Sequence, residues 1–187
     1  PVQKLCCARA EAYGILLYCN TFSATEVRVI TENPNFAERL PKLFRRAFGL
    51  SFDRQPDKEQ IEGKRIFQIT DPRKLNHIIN VLGYDPQQNL VLHINFAFME
   101  EACDQAAFLR GAFFAGGSIT DPQKRYHLEL TTSHLQVSRE IESLLVECGY
   151  PPKSLSRNGS SITYFKQSDQ IEDFLTMIGA PVAAMNI

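Results

Sequence analysis

The feature that most constrains this fold is an apolar stretch at residues 108–130 that carries glycine inside a helical pattern. It reads FLRGAFFAGGSITDPQKRYHLEL, an apolar run followed by a Gly-Gly-Ser stop, a short turn and an alternating strand. Glycine inside a helix costs about 1 kcal/mol relative to alanine. Gly111 and Ala115 are spaced four apart, so one helix side is small enough to admit a second backbone closely. Taken alone, the stretch also fits an ordinary buried helix with a tolerated glycine.

The same pattern occurs earlier in the chain. Residues 12–21 read AYGILLYCNT and align with the later stretch when Gly14 is placed on Gly111, an offset of 111 − 14 = 97. After this helix, each copy continues through a strand, an amphipathic helix, a polar hairpin, a strand and a short helix. Both amphipathic helices and both short helices end at glycine, namely Gly49, Gly149, Gly83 and Gly179. The sequence therefore predicts an α+β fold made of tandem αββαββα repeats with pseudo-twofold symmetry.

The repeats suggest a division of the chain into three parts. The first repeat is predicted at residues 1–84, a linker at 85–98 and the second repeat at 99–187. The linker alternates apolar residues at Leu90, Leu92, Ile94 and Phe96, and we expect it to cross the back of the structure.

Local signals place several element ends. Asn33-Pro34 predicts a helix start, Asn158-Gly159 predicts a hairpin turn, and Ser133 and Ser168 are predicted as helix caps. The charged segment 51–65 is predicted to form a hairpin with a mobile tip. The buried stripe of the second amphipathic helix is predicted at Leu135, Ile141, Leu144 and Leu145.

Composition indicates a globular protein that can bury a core. Hydrophobic residues make up 44% of the chain, and the formal net charge of −1 gives no global sign of a nucleic-acid partner. Any such partner would have to meet a local basic patch. There is no run of eighteen apolar residues and no segment like a signal peptide, so we expect a cytoplasmic protein with no membrane partner.

Cysteines and histidines give no metal signature. The five cysteines are odd in number and lack any C-x-x-C pair, so they are predicted to be buried small residues in a reducing compartment rather than disulfides or zinc ligands. The four histidines are scattered without ligand spacing. We expect neither a metal nor another cofactor.

The order of elements and the paired glycine-bearing helices resemble the LAGLIDADG homing-endonuclease fold. In that fold two such helices pack side by side, and two four-stranded sheets form a saddle over DNA. The string FLRGAFFAGGSITDPQKRYHLEL is more narrowly similar to the WhiA family of bacterial sporulation and cell-division regulators, over nearly the whole chain. The resemblance implies a C-terminal helix-turn-helix domain in the full-length protein, which this chain does not reach.

A nuclease of this fold needs a carboxylate at the foot of each central helix to hold Mg²⁺. Laying the family's motif on the two helices places those acids at Cys19 and Gly116, and neither can bind magnesium as a carboxylate would. The adjacent residues, Asn20 and Gly117, do not replace them, and Asp121 lies beyond the helix end. The sequence therefore predicts no endonuclease activity, and an unaligned acid such as Asp121 would have to substitute for cleavage to occur.

The resemblance leaves the saddle as the candidate binding surface. Its exposed strand faces and hairpins carry basic and polar residues that could contact phosphates: Arg28, Arg54, Lys58, Lys64, Arg65, Gln68, Lys124, Arg125, His127, Lys153, Arg157, Asn158 and Lys166. They fit equally well as solvated charges that discourage aggregation at sheet edges. Glu26 and Glu129, on the same faces, oppose DNA binding.

Two classes of function remain open at this point. The first is a DNA-binding transcriptional regulator module, associated with the nucleoid, that contacts duplex DNA through phosphates. The second is a protein-interaction module that kept the endonuclease shape and uses its saddle or helix faces for another regulator. The near-neutral charge favours the second class.

Overall fold

Two central helices organise the molecule. The computed structural model describes residues 3–85, 90–120 and 127–180. Helices α1 (Leu5–Tyr18) and α4 (Ala102–Gly116) pack against each other along most of their length. Both are buried on nearly all sides rather than along one stripe. Their apolar residues on every face explain this, since a helix that is hydrophobic all round belongs inside a protein.

Each central helix is followed by the rest of its repeat. In the first repeat these are β1 (Thr21–Phe22), β2 (Val27–Thr31), α2 (Pro34–Phe48), β3 (Arg65–Ile69) and α3 (Pro72–Val81). In the second they are β4 (Gly117–Ile119), β5 (Leu128–Thr132), α5 (Leu135–Glu147), β6 (Lys153–Arg157), β7 (Ser160–Phe165) and α6 (Ser168–Met177). The strands form two antiparallel sheets, ordered β1-β2-β3 and β4-β5-β7-β6. The predicted fold class is therefore confirmed.

The first repeat departs from the predicted αββαββα order. Its third strand is reduced to a single bridge between Arg54 and Gln68, so the hairpin predicted at 51–65 is wrong. This segment contains Pro56 and many charged residues, and it lacks the apolar alternation that an inner strand face needs. Asp53 holds it in place instead, because its carboxylate accepts hydrogen bonds from the backbone N–H groups of Thr70 (2.7 Å) and Asp71 (2.9 Å).

The linker packs against both repeats. Leu92 and Ile94 are buried, and the Ile94 N–H donates to Glu140 of α5 at 2.9 Å. Tyr13 of α1 anchors the same segment, since its hydroxyl lies 2.7 Å from the carbonyl of His93 and accepts from the Asn95 N–H at 2.8 Å. Within the residues described, no helix is both long and apolar enough to cross a membrane.

The helix ends agree with some local signals and correct others. Asn33 caps α2 through its side chain, and Gly49 ends that helix in the left-handed conformation at φ 68°. Ser133 and Ser168 are not caps, because α5 is preceded by His134 and Ser168 is already the first residue of α6. Near Ser133, the Thr132 hydroxyl accepts the His134 N–H instead.

Two expectations about burial are also wrong. Leu135 was predicted on the buried stripe of α5 and is 54% exposed. It lies six residues before the buried Ile141, a separation that places the two side chains on different sides of a helix with 3.6 residues per turn. Cys6 and Cys103, predicted to be buried, are exposed at the starts of the two central helices.

Candidate nucleic-acid interface

The two central helices touch where their glycines lie. A Cβ atom on Gly14 would lie 2.1 Å from the carbonyl oxygen of Phe108, and one on Gly111 would lie 2.0 Å from that of Glu11. Each glycine thus faces the backbone of the opposite helix. Ala115, one turn further on, is half-buried at the core boundary. The structure therefore gives the two glycines one role at the same helix crossing.

The first former metal position is closed by its own thiol. Cys19 follows the end of α1, and its Sγ donates to the carbonyl oxygens of Leu16 (3.3 Å) and Thr21 (3.2 Å). Burial raises the pKa of this thiol to about 12. Cys19 is therefore a neutral structural residue that completes the turn between α1 and β1.

The second former metal position has no room for a side chain. A Cβ on Gly116 would lie 2.7 Å from the carbonyl oxygen of Thr131 and 2.9 Å from the ring of Tyr18. Tyr18 itself is buried, and its hydroxyl has no hydrogen-bond partner among the residues described. Asp121, the substitute acid considered from sequence, lies outside the described residues. The helix feet described here thus present a thiol, a glycine and a tyrosine ring in place of two carboxylates.

The outer face of the second sheet gathers basic side chains around one tyrosine. Tyr164 stacks on His127 at 5.2 Å between ring centroids, and the Lys166 ammonium lies 5.5 Å from the Tyr164 centroid. Lys153 of β6 is the direct cross-strand partner of Tyr164. This outer face, formed by His127, Glu129, Lys153, Arg157, Tyr164 and Lys166, is called the basic sheet face below.

Glu129 lies at the centre of the basic sheet face and is engaged by two of its neighbours. Its Oε1 is 2.8 Å from His127 Nε2 and 3.8 Å from Arg157 Nη1. The Glu129 carboxylate thus contacts His127 and Arg157 and would not face DNA phosphates as an unpaired negative charge. It also reduces the net positive charge of the face.

The predicted hairpin turn lies at the end of β6 and β7. Asn158 and Gly159 both have positive φ, 53° and 79°, between the paired residues Arg157 and Ser160. Positive φ at both central residues is the signature of a type I′ hairpin. The turn presents Asn158 next to Arg157 in the chain, and both residues are exposed.

The first sheet has a smaller version of this arrangement. Arg28, Gln68 and Arg54 are successive cross-strand neighbours. Glu26 accepts from Arg28 at 2.8 Å and from the Gln68 amide. These contacts, led by the Gln68 hydrogen bond, hold the pKa of the Glu26 carboxyl below its usual range. Lys58 and Lys64 are exposed, but Asp57, Glu59 and Glu62 lie in the same loop and offset their charge.

Arg65 must be removed from the candidate surface. Its side chain is buried, and its guanidinium donates to the backbone carbonyls of Glu32 (3.0 Å) and Ile61 (2.8 Å). Residues 65, 67 and 69 share the inner face of β3, so Arg65 points inward with Phe67 and Ile69. Lys124 and Arg125 lie outside the described residues.

Sequence reasoning missed the organising residue of the basic sheet face. Tyr164 is not among the predicted surface residues, although it lies two residues before Lys166, the spacing that puts two side chains on one face of a strand. That spacing was the available signal. Its pairing with His127 and Lys153 depends on strand register, which the sequence did not give.

The fold and the degenerate helix feet define a LAGLIDADG homing-endonuclease-like domain. I-DmoI in complex with DNA and Mn matches 94% of this chain and 97% of its own, with a TM-score of 0.63 at 14% identity. The N-terminal LAGLIDADG domain of WhiA matches 99% of this chain and 89% of its own, with a TM-score of 0.71 at 16% identity. At such identities these likenesses concern the fold.

The sequence comparisons identify the family. Residues 105–187 match the model of the WhiA LAGLIDADG-like domain. The "Probable cell division protein WhiA" of Ruminiclostridium cellulolyticum is 33% identical over 97% of this chain, and that of Alkaliphilus metalliredigens is 28% identical over 99%. The chain belongs to the WhiA family. It spans 60% and 62% of the lengths of these two relatives.

Proposed function

We propose that this chain is the DNA-binding module of a transcriptional regulator and that it does not cut DNA. The observation that carries the proposal is the basic sheet face. Lys153 is the cross-strand partner of Tyr164, Lys166 lies over the Tyr164 ring, and Arg157 reaches Glu129 on the same face. Long basic side chains on such a surface bind phosphates without reading bases. I-DmoI, which shares this fold, is described in complex with DNA, and its shape supports the same use here.

The absence of cleavage rests on the two helix feet. Phosphodiester hydrolysis in a two-metal site needs ligands that hold Mg²⁺ beside the reacting phosphate. The Cys19 thiol is hydrogen-bonded to two nearby backbone carbonyls. Thr131 and Tyr18 occupy the space that a side chain at Gly116 would need. An acid introduced at residue 116 would therefore clash rather than bind a cation.

The names of the relatives support a proposal about the biological setting. They are named cell division proteins, so we propose a role in cell division and chromosome segregation, or in sporulation where the host forms spores. The regulator would act in the cytoplasm in association with the nucleoid. We propose that the longer full-length protein carries sequence specificity in a C-terminal helix-turn-helix domain, leaving weak phosphate-dependent affinity to this module.

A salt titration tests the DNA proposal. Binding of a labelled duplex is measured by fluorescence anisotropy at several salt concentrations for the wild type, Arg157→Gln and Lys166→Gln. Each substitution should weaken binding similarly on unrelated sequences and flatten the salt slope by about one unit, because one phosphate contact is lost. Arg139→Gln is the matched control, since Arg139 is exposed on α5. Absence of wild-type binding at low salt, or an equal effect of the control, would refute the proposal.

A protein-interaction module is the second candidate, and α5 supplies its observation. Leu135 and Val146 are 54% and 57% exposed and lie eleven residues apart, which places them on one face of the helix. The direct comparison uses the full-length parent. If Arg157→Glu with Lys166→Glu leaves DNA binding intact while Leu135→Ser with Val146→Ser removes association with a partner regulator, the second candidate replaces the first.

A further inference from the structure

The other end of the central helix pair carries a cluster of potential metal ligands. Cys6 and Cys7 lie in the first turn of α1, and Asp104 lies in the first turn of α4. One ligand atom from each, two Sγ atoms and a carboxylate oxygen, lie within 4.8 Å of one another. The Cys7 thiol donates to Asp104 Oδ1 at 3.5 Å. These three residues are called the thiol-carboxylate cluster.

The duplication of the chain builds this cluster. The offset of 97 pairs Cys6 with Cys103 and Cys7 with Asp104, since 6 + 97 = 103 and 7 + 97 = 104. Each central helix therefore contributes two adjacent residues at its start, and they meet across the pseudo-twofold axis. The Cys103 thiol belongs to the same helix start but donates to Glu101 Oε2 at 3.3 Å, so the set of close ligand atoms is that of Cys6, Cys7 and Asp104.

Asp104 shows that the cluster lacks a positive charge. Asp104 is only 4% exposed. Among the residues described, its carboxylate forms no ion pair with Arg, Lys or His. A buried carboxylate without a cationic partner is costly. The helix start eases this cost through its dipole, but the hydrogen bond that the side chain accepts comes from a weakly donating thiol. A bound cation would supply the missing charge.

A cleft gives access to the cluster from solvent. A cavity of about 480 Å³ is lined by Cys6 and Asp104 together with Arg9, Phe98 and Glu101. Cys6 is exposed, whereas Cys7 is buried behind it. An ion could therefore enter on the Cys6 side and reach all three ligand atoms.

We propose that the thiol-carboxylate cluster is a binding site for a thiophilic divalent cation of the Zn²⁺ class. Two thiolates and one carboxylate form a borderline-soft set that suits Zn²⁺ in tetrahedral coordination, completed by water. Mg²⁺ and Ca²⁺ prefer all-oxygen ligands and are disfavoured here. The site lies about 20 Å from the former metal positions, because fourteen residues of α1 at 1.5 Å rise separate the two ends.

The ion would join the two repeats at the end away from the basic sheet face. Its ligands come from both central helices, so binding stabilises the folded pairing of α1 and α4 over the unfolded chain. The thiols lose their protons when they bind, so affinity should fall as pH is lowered. DNA binding and metal binding are separate properties in this proposal.

Cobalt provides the direct test. The full chain is purified with a non-thiol reductant, stripped with a chelator and titrated with Co²⁺ alone. Binding should produce a thiolate-to-cobalt charge-transfer band that saturates at one ion per chain and disappears when Zn²⁺ is added. Added Zn²⁺ should also raise Tm by about 5 °C or more.

Two variants and one control make the test specific. Cys6→Ser and Asp104→Asn should each lower Co²⁺ affinity at least tenfold and remove most of the Zn²⁺ effect on Tm. Cys6 is exposed, so its variant is expected to fold. Cys148→Ser is the matched control, because this half-buried thiol contacts Gln105 outside the cluster. A folded wild type with no charge-transfer band, or a band that survives both ligand variants, overturns the proposal.

Discussion

At the residue scale, three positions require glycine because backbone atoms from another element occupy the space that a Cβ atom would need. Gly14 and Gly111 each approach the opposite central helix, and Gly116 approaches both Tyr18 and the Thr131 carbonyl. The first two allow the helices to meet. The third closes the site where a nuclease of this fold would hold a metal ligand. Glycine therefore lets the helices meet at the first two positions and leaves no room for a carboxylate side chain at the third.

A single methyl group at the helix crossing tests this role. Gly111→Ala should lower the free energy of unfolding by about 3 kcal/mol or prevent folding, because its Cβ would lie 2.0 Å from a rigid backbone oxygen. Ser143→Ala, an exposed change within α5, should shift it by less than about 0.5 kcal/mol. Urea unfolding followed by circular dichroism measures both. Equal stability of Gly111→Ala and the wild type would show that the helices do not pack as described.

At the element scale, a buried carboxylate links both central helices to α2. Glu11 of α1 is fully buried, and its carboxylate accepts from Arg39 of α2 at 2.5 and 2.7 Å and from Arg110 of α4 at 2.7 Å. Burial alone would raise its pKa, but these two guanidinium groups lower the pKa of Glu11 below its ordinary value of 4.5. The ionised form is therefore the one that the fold stabilises.

The pH dependence of stability follows from that sign. Because the folded pKa is depressed, the contribution of Glu11 is present above about pH 4.5 and is lost as pH falls through the folded pKa. Glu11→Gln should cost about 3 kcal/mol at pH 7, since it leaves two guanidinium groups without their partner, and the cost should shrink in acid. Thermal unfolding of the wild type and Glu11→Gln between about pH 3 and pH 7 measures this stability difference, because carboxylates titrate in roughly that interval.

Glu38→Gln serves as the control for that measurement. Glu38 belongs to an exposed pair with Lys42 at 3.5 Å, and such surface pairs contribute about 0–1 kcal/mol. A flat pH profile in the wild type, or a loss in Glu38→Gln equal to that in Glu11→Gln, would contradict the assignment.

At the scale of the whole molecule, the two repeats share one core and differ in their outer faces. The Thr132 hydroxyl donates to the Leu17 carbonyl at 3.2 Å, which ties the second sheet to the first central helix. The second sheet has four strands and the basic sheet face, whereas the first has three strands and a loop whose acids balance its bases. We therefore expect the second repeat to supply most of the DNA affinity.

The thiol of Cys19 and the covered Gly116, at the helix feet that the structure describes, lead to a prediction about divalent cations. Supercoiled plasmid incubated with the purified protein and Mg²⁺ should remain intact, and duplex binding should persist in a chelator at matched ionic strength. The physical reason is that phosphate contacts by Arg and Lys need no bridging ion. Gel electrophoresis measures cleavage, with a metal-dependent nuclease as positive control. Cleavage that Asp121→Asn abolishes would reverse the proposal.

Comparison of prediction and structure shows where strand register matters. Leu128 and Leu130 of β5 lie on the inner face as their alternation indicates, whereas Arg65, predicted on an exposed face, shares the inner parity of Phe67 and Ile69. Both repeats were predicted to be complete, so the prediction missed that the first repeat has only a single bridge, and no full strand, before β3. The division into residues 1–84, 85–98 and 99–187 stays a prediction.

The sequence by itself determined the repeated order of elements, the fold class and the residue types at positions 19 and 116, because periodicity and residue type are local properties of the chain. Only the tertiary structure decided which side chains meet across strands and helices. Tyr164 gathers its cationic neighbours through strand register, and Cys6, Cys7 and Asp104 converge through helix crossing. Such contacts join residues as much as 98 positions apart, and no local pattern specifies them.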